Sequence, residues 1–281
     1  MPTPPAVAFL SLSRARAPHL HREINAWHQL DHRPENLALA GVAHGERFVH
    51  SPALAAASRR AGEFADFHYA NIYWFDEPAG AAVEEWAELA EQSLREGRRP
   101  DVDLVDRAYM DFFRVAGTAL SPGLRIGGRA LHYRPVTGVV LLVTALPHDL
   151  TRSELQARHA WEIDELLPAL AGVPGIAAAW SLESDPGLAP SEWARREAAQ
   201  GTSERETIRV VYLACEIDPP ATALERLEAG AVPGWLNPPA GDRASVRFAG
   251  ALETITPWQW SWFDDEHPTS PDPAAPAGGE R

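Results

Sequence analysis

The chain has 281 residues, 45% hydrophobic and 23% charged, the composition of a globular protein with one large domain or two of roughly 100–150 residues. Its formal net charge of −14 argues against a surface built for nucleic acid or anionic membrane. All 25 basic residues are arginine, which excludes Schiff-base chemistry, pyridoxal phosphate attachment and a P-loop lysine; Cys215, alone, excludes an internal disulfide and a thiolate metal cluster.

In chain order, AVAFLSLS at 6–13 is a short β-type run, and Leu20, Ile24, Trp27 and Leu30 give residues 19 to 32 a helical pattern. The strand GVAHGERFV at 41–49 follows, then a helical insertion, SPALAAASRRAGE. Next come the strand FHYANIYWF at 67–75, a helix carrying Val83, Trp86, Leu89 and Leu94, and the strand RAYMDFFRVAG. The order then starts again. GVVLLVTAL at 138–146 is apolar throughout, TRSE at 151–154 is a capping box opening a helix, and GIAAAWSLE at 175–183 is a strand. A helical insertion around SEWARREAAQ, the strand TIRVVYLACEI, a helix near PATALERLEAG and the strand ASVRFAGALETI complete the second set.

INAWHQLDHRPENLALAGV at 24–42 and RHAWEIDELLPALAGVPGI at 158–176 superimpose at an offset of 134, matching Trp27 with Trp161, Asp31 with Glu165, Pro34 with Pro168 and Gly41 with Gly175. Self-similarity at a fixed period marks an internal repeat. The fold class expected is therefore α+β, two tandem ferredoxin-like βαββαβ repeats packed sheet to sheet as an α+β barrel. Residues 1–118 form the first repeat, expected to hold the site; 119–137 link the halves; 138–263 form a degenerate second repeat. The Pro-rich 264–281 reads as a disordered tail. No 18-residue apolar run and no charged-then-apolar leader occurs, so a cytoplasmic location is expected.

The pattern Trp27-x-x-x-Asp31-His32-x-Pro34, followed by Gly41 and Arg47-Phe48, resembles the dimeric α+β barrel superfamily in its EthD-like branch. The resemblance implies a cavity between a sheet and its helices or inside the two-sheet barrel. Members include cofactor-independent cyclases, isomerases, dehydratases and decarboxylases, cofactor-free mono-oxygenases and haem enzymes, some in specialised metabolism or aromatic catabolism.

Residues needed only to build the unit should occur in both copies. On that reasoning Trp27, Pro34 and Gly41 are a core plug, a helix breaker and a turn. His28 and His32, by contrast, become Glu162 and Leu166. A histidine replaced by leucine at the same fold position is free for acid–base work, and the resemblance also places a histidine at 32. Asp31 is the candidate to orient it, although neighbouring helical residues point about 100° apart; a dipole-bound C-terminal histidine is the plainer reading. His28-x-x-Asp31-His32 also approaches a zinc-type spacing, but Asp in place of Glu shortens the reach of a general base and no compelling third ligand follows, so no metal is expected.

Arg47 matches the resemblance's arginine and is a candidate clamp for a substrate carboxylate or enolate, against a surface ion pair. Tyr69, Asn71 and Tyr73 share one strand face, polar for a covered sheet and mostly apolar in the second copy. Tyr109 and Arg114, on the closing strand, are candidates for the same cavity, with His28 as a further substrate contact. Trp258, Trp260 and Trp262 read as a stripe that packs the tail onto the body, or as a lid. The expected function is a cofactor-independent enzyme, of lyase or isomerase type, moving a proton next to a carbonyl on a hydrophobic, aromatic or polyketide-like metabolite. The alternatives are a haem-binding or cofactor-free mono-oxygenase of the same fold, and a non-catalytic small-molecule binding protein. Its partner is then a small molecule, with no nucleic acid, no membrane and no organic cofactor, in a monomer or homodimer.

Overall fold

A computed structural model describes residues 4–200, 206–236 and 243–264. The first half runs β1 (Val7–Ala15), α1, β2 (Val42–Val49), β3 (Arg59–Arg60), β4 (Tyr69–Phe75), α2 (Ala79–Arg95) and β5 (Val105–Leu120). Helix α1 is made of His21–Trp27, a wide π turn over His28–His32, and Arg33–Leu37. The second half runs β6 (Gly138–Leu146), α3, β7 (Ile176–Ser184), β8 (Thr207–Cys215), α4 (Ala221–Arg226 with a wide turn over Leu227–Ala231) and β9 (Ser245–Thr254). Helix α3 repeats the build of α1: Arg152–Trp161, a π turn over Glu162–Leu166, then Leu167–Ala171.

Eight strands pair antiparallel in the order β2-β4-β1-β5-β7-β8-β6-β9, and β9 pairs back onto β2. The sheet therefore closes into a barrel and leaves none of these eight strands as an open edge. Each half contributes four neighbouring strands in the same internal order, so the fold is two βαββαβ units sewn together at β5–β7 and β9–β2.

Strand alternation sorts the side chains. Leu10, Leu12, Ile72 and Trp74 of the first half meet Leu141, Val143, Trp180 and Val210 of the second inside the barrel. The outward faces carry the helices. In the second half that layer is solid: Leu142, Val211 and Leu213 on the sheet pack against Leu166, Leu167, Leu170 and Leu224 on α3 and α4. In the first half Phe9, Tyr73, Phe75 and Phe112 pack against Val83 and Trp86 of α2. Polar side chains take over towards α1.

Two structural readings of the repeat are corrected. Pro34 does not break the helix, which continues to Leu37; the wide turn just before it gives slack to a ring that cannot donate a backbone hydrogen bond. Trp27 is only half-buried: its Nε1 donates to the Arg98 carbonyl at 3.0 Å and its ring stacks on His32, so it is a wall rather than a plug. Gly41 does lie in the expected turn, and close packing requires it as well, since a Cβ there would lie 2.4 Å from the Ala82 Cβ on α2.

Near the C-terminus, Trp258 is exposed while Trp260, Trp262 and the buried Phe263 join the cluster at the start of α1, where Phe263 stacks on His21 at 3.9 Å. Beyond Asp264, the expected tail lies outside the described residues. No helix among them is long and apolar enough to cross a membrane.

Candidate active site

A cavity of about 410 Å³ lies between the first-half sheet and its helices. Its floor is sheet: Phe9, Ser11 and Ser13 of β1, Arg47 of β2, Asn71 and Tyr73 of β4, Arg107, Asp111 and Phe112 of β5. Helix α1 supplies Trp27, His28 and His32, and α2 supplies Trp86 and Leu94. Trp193 closes one side from the second half, its ring 5.8 Å from Trp86 and 5.9 Å from Phe112. The helix bearing it, Ser191–Gln200, is tied to α2 through the Ser191 N–H, which donates to Glu84 at 2.8 Å.

Register explains why the cavity is here and not in the other half. Ser11, Asn71 and Arg47 form one row across β1, β4 and β2; the matching row of the second half is Leu142, Val211 and Ser181. The next row pairs Ser13 and Tyr69 in the first half, and Thr144 and Arg209 in the second. The second half thus fills its outer layer with aliphatic side chains, a buried ion pair and the buried Arg158, whose Nη2 donates to Thr144 Oγ1 at 3.2 Å. Arg209, 2% exposed, bonds to the carboxylate of Glu162, 1% exposed, while Ser181 Oγ donates to the same carboxylate at 3.0 Å. Glu162 stands where the first half has His28, and Ser181 where it has Arg47.

Arg47 is 1% exposed and forms no ion pair among the described residues, although Glu91 and Asp111 also line the cavity. Its Nη1 donates to Asn25 Oδ1 at 2.8 Å, its guanidinium carbon lies 4.0 Å over the Tyr69 ring, and its Nε has no hydrogen-bond partner. Burial pulls its pKa down to about 10. A desolvated cation without a counter-charge is costly, and a cavity beside it is where an anion can enter. Three more unpartnered buried atoms belong to cavity-lining residues: Asn71 Oδ1, an acceptor, Trp86 Nε1, a donor, and His28 Nδ1.

Burial first, and then the charges of Arg47 and His32, push the His28 pKa well below the ordinary histidine value, so its imidazole is neutral at pH 7. His32 sits nearer solvent, stacked on Trp27 with ring centroids 4.7 Å apart and 5.2 Å from His28. Asn36 Nδ2 approaches His32 Nε2 at 3.1 Å and donates to the His32 carbonyl at 2.8 Å. An amide nitrogen only donates, so in this contact Nε2 is the acceptor.

Of the residues singled out from sequence, His28, His32, Arg47, Asn71 and Tyr73 meet in this cavity. Tyr69 lies beneath Arg47, its hydroxyl 2.7 Å from His21 Nδ1 and accepting from Asn25 Nδ2 at 2.9 Å. Asp31 is exposed on the outer side of α1 and does not orient His32; Asn36, one turn on, holds that position. Tyr109 packs on the barrel-side aromatics, its ring 4.7 Å from Phe64. Arg114 is exposed and ion-paired with Asp185. Neither Tyr109 nor Arg114 lines the cavity. Among the described residues no group of three His, Cys, Asp or Glu side chains is placed to hold a metal ion.

Ser11, Arg107, Asp111 and Trp193 were not singled out. Ser11 and Ser13 were legible as hydroxyls interrupting an apolar strand on one face. Trp193 was not, because it arrives by tertiary packing from the other half.

No family model and no curated protein sequence matches the chain, so the resemblance to the EthD-like branch rests on its short motif. Among solved structures, the chain is similar to a chlorite dismutase-like protein at 12% identity, with 93% of this chain and 97% of that one covered and a TM-score of 0.48. An anthrone oxidase-like protein is similar at 14% identity, over 89% and 92% of the two chains, with a TM-score of 0.42. A dye-decolorizing peroxidase from Bacteroides thetaiotaomicron is similar at 6% identity, over 89% and 94%, with a TM-score of 0.48. These likenesses assign no reaction, substrate or cofactor to this chain.

Proposed function

We propose that the protein is an enzyme whose first-half cavity binds an anionic, largely hydrophobic metabolite against Arg47 and moves a proton next to a carbonyl. The observation that carries this reading is Arg47, buried without an ion pair in the half that keeps a cavity, while the other half closes the same place with the Glu162–Arg209 pair. The protein supplies the anion in one half. In the other, the ligand does.

The division of labour follows from position. Phe9, Trp86, Phe112 and Trp193 offer apolar walls for a ring system. Arg47 holds the carboxylate, phenolate or enolate oxygen and stabilises the negative charge that grows as the proton leaves. His28 is a poor base in the empty cavity because burial, and after it the charge of Arg47, depresses it; a bound anion cancels part of the Arg47 effect and raises its basicity as substrate arrives. His32, nearer the solvent, exchanges the proton onward. Isomerisation, cyclisation or elimination are the outcomes of such a step. The shared βαββαβ order and the matched π turns also support an origin of the two halves by tandem duplication.

The test uses phenylpyruvate, an aromatic anion with an enolisable carbonyl, in D₂O. Wild-type protein should speed deuterium incorporation next to the carbonyl, followed by proton NMR, and His32→Leu should not. Equal rates with and without protein for a series of such aromatic keto acids count against the reading.

A second reading, haem-dependent oxidation in the same cavity, has one observation behind it: His28 is a neutral imidazole with an unpartnered Nδ1, the donor type that holds haem iron. His28 would then be the protein ligand, and the group would supply redox chemistry. A Soret band on adding haemin that is lost in His28→Gln establishes this reading, and no band removes it.

A further inference from the structure

A second cavity, of about 440 Å³, opens at the mouth of the barrel. It shares α1 and β2 with the first but uses their other faces. His28 lines the first cavity and Gln29 the second, while Arg47 lines the first and Glu46 and His44 the second. One layer of backbone separates the two.

Its walls are aromatic. The His132 ring lies 5.2 Å from Trp180, and Trp180 lies 5.4 Å from Tyr212. Its polar groups are more numerous than a packed barrel end requires. Gln29 is 5% exposed, yet its Nε2 has no hydrogen-bond partner among the described residues, and neither does Thr254 Oγ1. Buried polar groups are ordinarily satisfied, so such a concentration marks a place where something polar binds. The charges, by contrast, are compensated. Arg33 pairs with Glu46 at 3.3 Å and Arg134 with Glu216, and burial lowers His44 to about 4 and His132 to about 3, leaving both imidazoles neutral at pH 7.

We propose that the barrel mouth is a second ligand site, for a neutral planar aromatic molecule carrying a hydroxyl or carbonyl group. The flat walls select the ring, and the Tyr212 hydroxyl and His44 imidazole, which line the cavity beside Gln29 and Thr254, meet its oxygen. The absence of an uncompensated charge distinguishes it from the first cavity. The two sites therefore discriminate ligands by charge, an anion beside Arg47 and a neutral molecule in the barrel.

The experiment is calorimetric titration of the full-length protein with 2-naphthol at pH 7. Saturable binding is expected in the wild type and equally in Arg47→Met, which alters only the first cavity. Tyr212→Phe and His44→Leu, each confirmed as folded by its melting curve, should weaken binding on the order of tenfold, the worth of one hydrogen bond or ring contact. Weakening in either variant alone still places the ligand in the barrel mouth. No saturable binding to the wild type would mean the cavity holds only water, and the proposal fails. It fails equally if binding is lost in Arg47→Met, or if both Tyr212→Phe and His44→Leu bind as the wild type does.

Discussion

Replacing Arg47 with methionine should leave the ligand-free protein as stable as before, or more so, while removing anion binding. Burial lowers the guanidinium from an ordinary 12.5 to about 10. At about 1.4 kcal/mol per unit, that depression is a cost of about 3 kcal/mol carried by the folded protein at pH 7. Methionine removes the cost and fills similar space. Against this stand the bond to Asn25, whose Oδ1 would be left unpaired, and the contact over Tyr69, together about 1–3 kcal/mol. The net expectation runs from no change to about 2 kcal/mol of added stability, read from denaturant melts of the two proteins. Affinity for an aromatic carboxylate such as benzoate, measured by calorimetry, should fall on the order of 10–100-fold with the charged bond. Should Arg47→Met lose more than about 2 kcal/mol while benzoate binds unchanged, the arginine is a structural member of the core and the assignment is wrong.

Three further outcomes are expected. His32→Leu, which installs the residue found at 166, should shift stability by less than about 1–2 kcal/mol but lower turnover on the order of 10²–10⁴-fold; early melting with full activity in the folded fraction would make the histidine structural. Glu162→Gln should cost about 3–5 kcal/mol in a thermal melt, because it strands the buried Arg209; a cost near zero would mean that Glu183, the half-exposed carboxylate that also pairs with Arg209, satisfies that arginine alone. As for pH, His44 and His50 lie near 4 and His132 near 3 in the fold, all depressed by burial. Depressed histidines contribute stability that is complete above their unfolded value of about 6.5 and is lost as pH falls towards the folded values, by up to about 1.4 kcal/mol per unit for each. Melts at pH 7, 6 and 5 should show that decline, and His132→Phe should lessen it.

The repeat was legible because strand runs, helices and turn residues recur at one offset, and the chemically different counterparts of His28, His32 and Arg47 pointed to the half in which this cavity lies. The α+β barrel was expected from the repeat, but which strands close it was not legible. The pairing of β9 with β2 joins residues about two hundred positions apart and leaves no local pattern. Tyr109 and Arg114 could not both face one cavity, since residues five apart on a strand fall on opposite sides, and β5 also carries register shifts against β1 and β7. Trp27 matched Trp161 and read as core, yet a conserved side-chain type at equivalent places was filling a wall in one half. The role of Asn36 was available in principle, as the residue one helical turn beyond His32.

A crystal structure of the protein with benzoate at neutral pH tests the central claim most directly. The account predicts the carboxylate within hydrogen-bond distance of the Arg47 guanidinium and the ring among Phe9, Trp86 and Trp193. An Arg47 paired with a carboxylate of the protein itself, with benzoate elsewhere or absent, would contradict it.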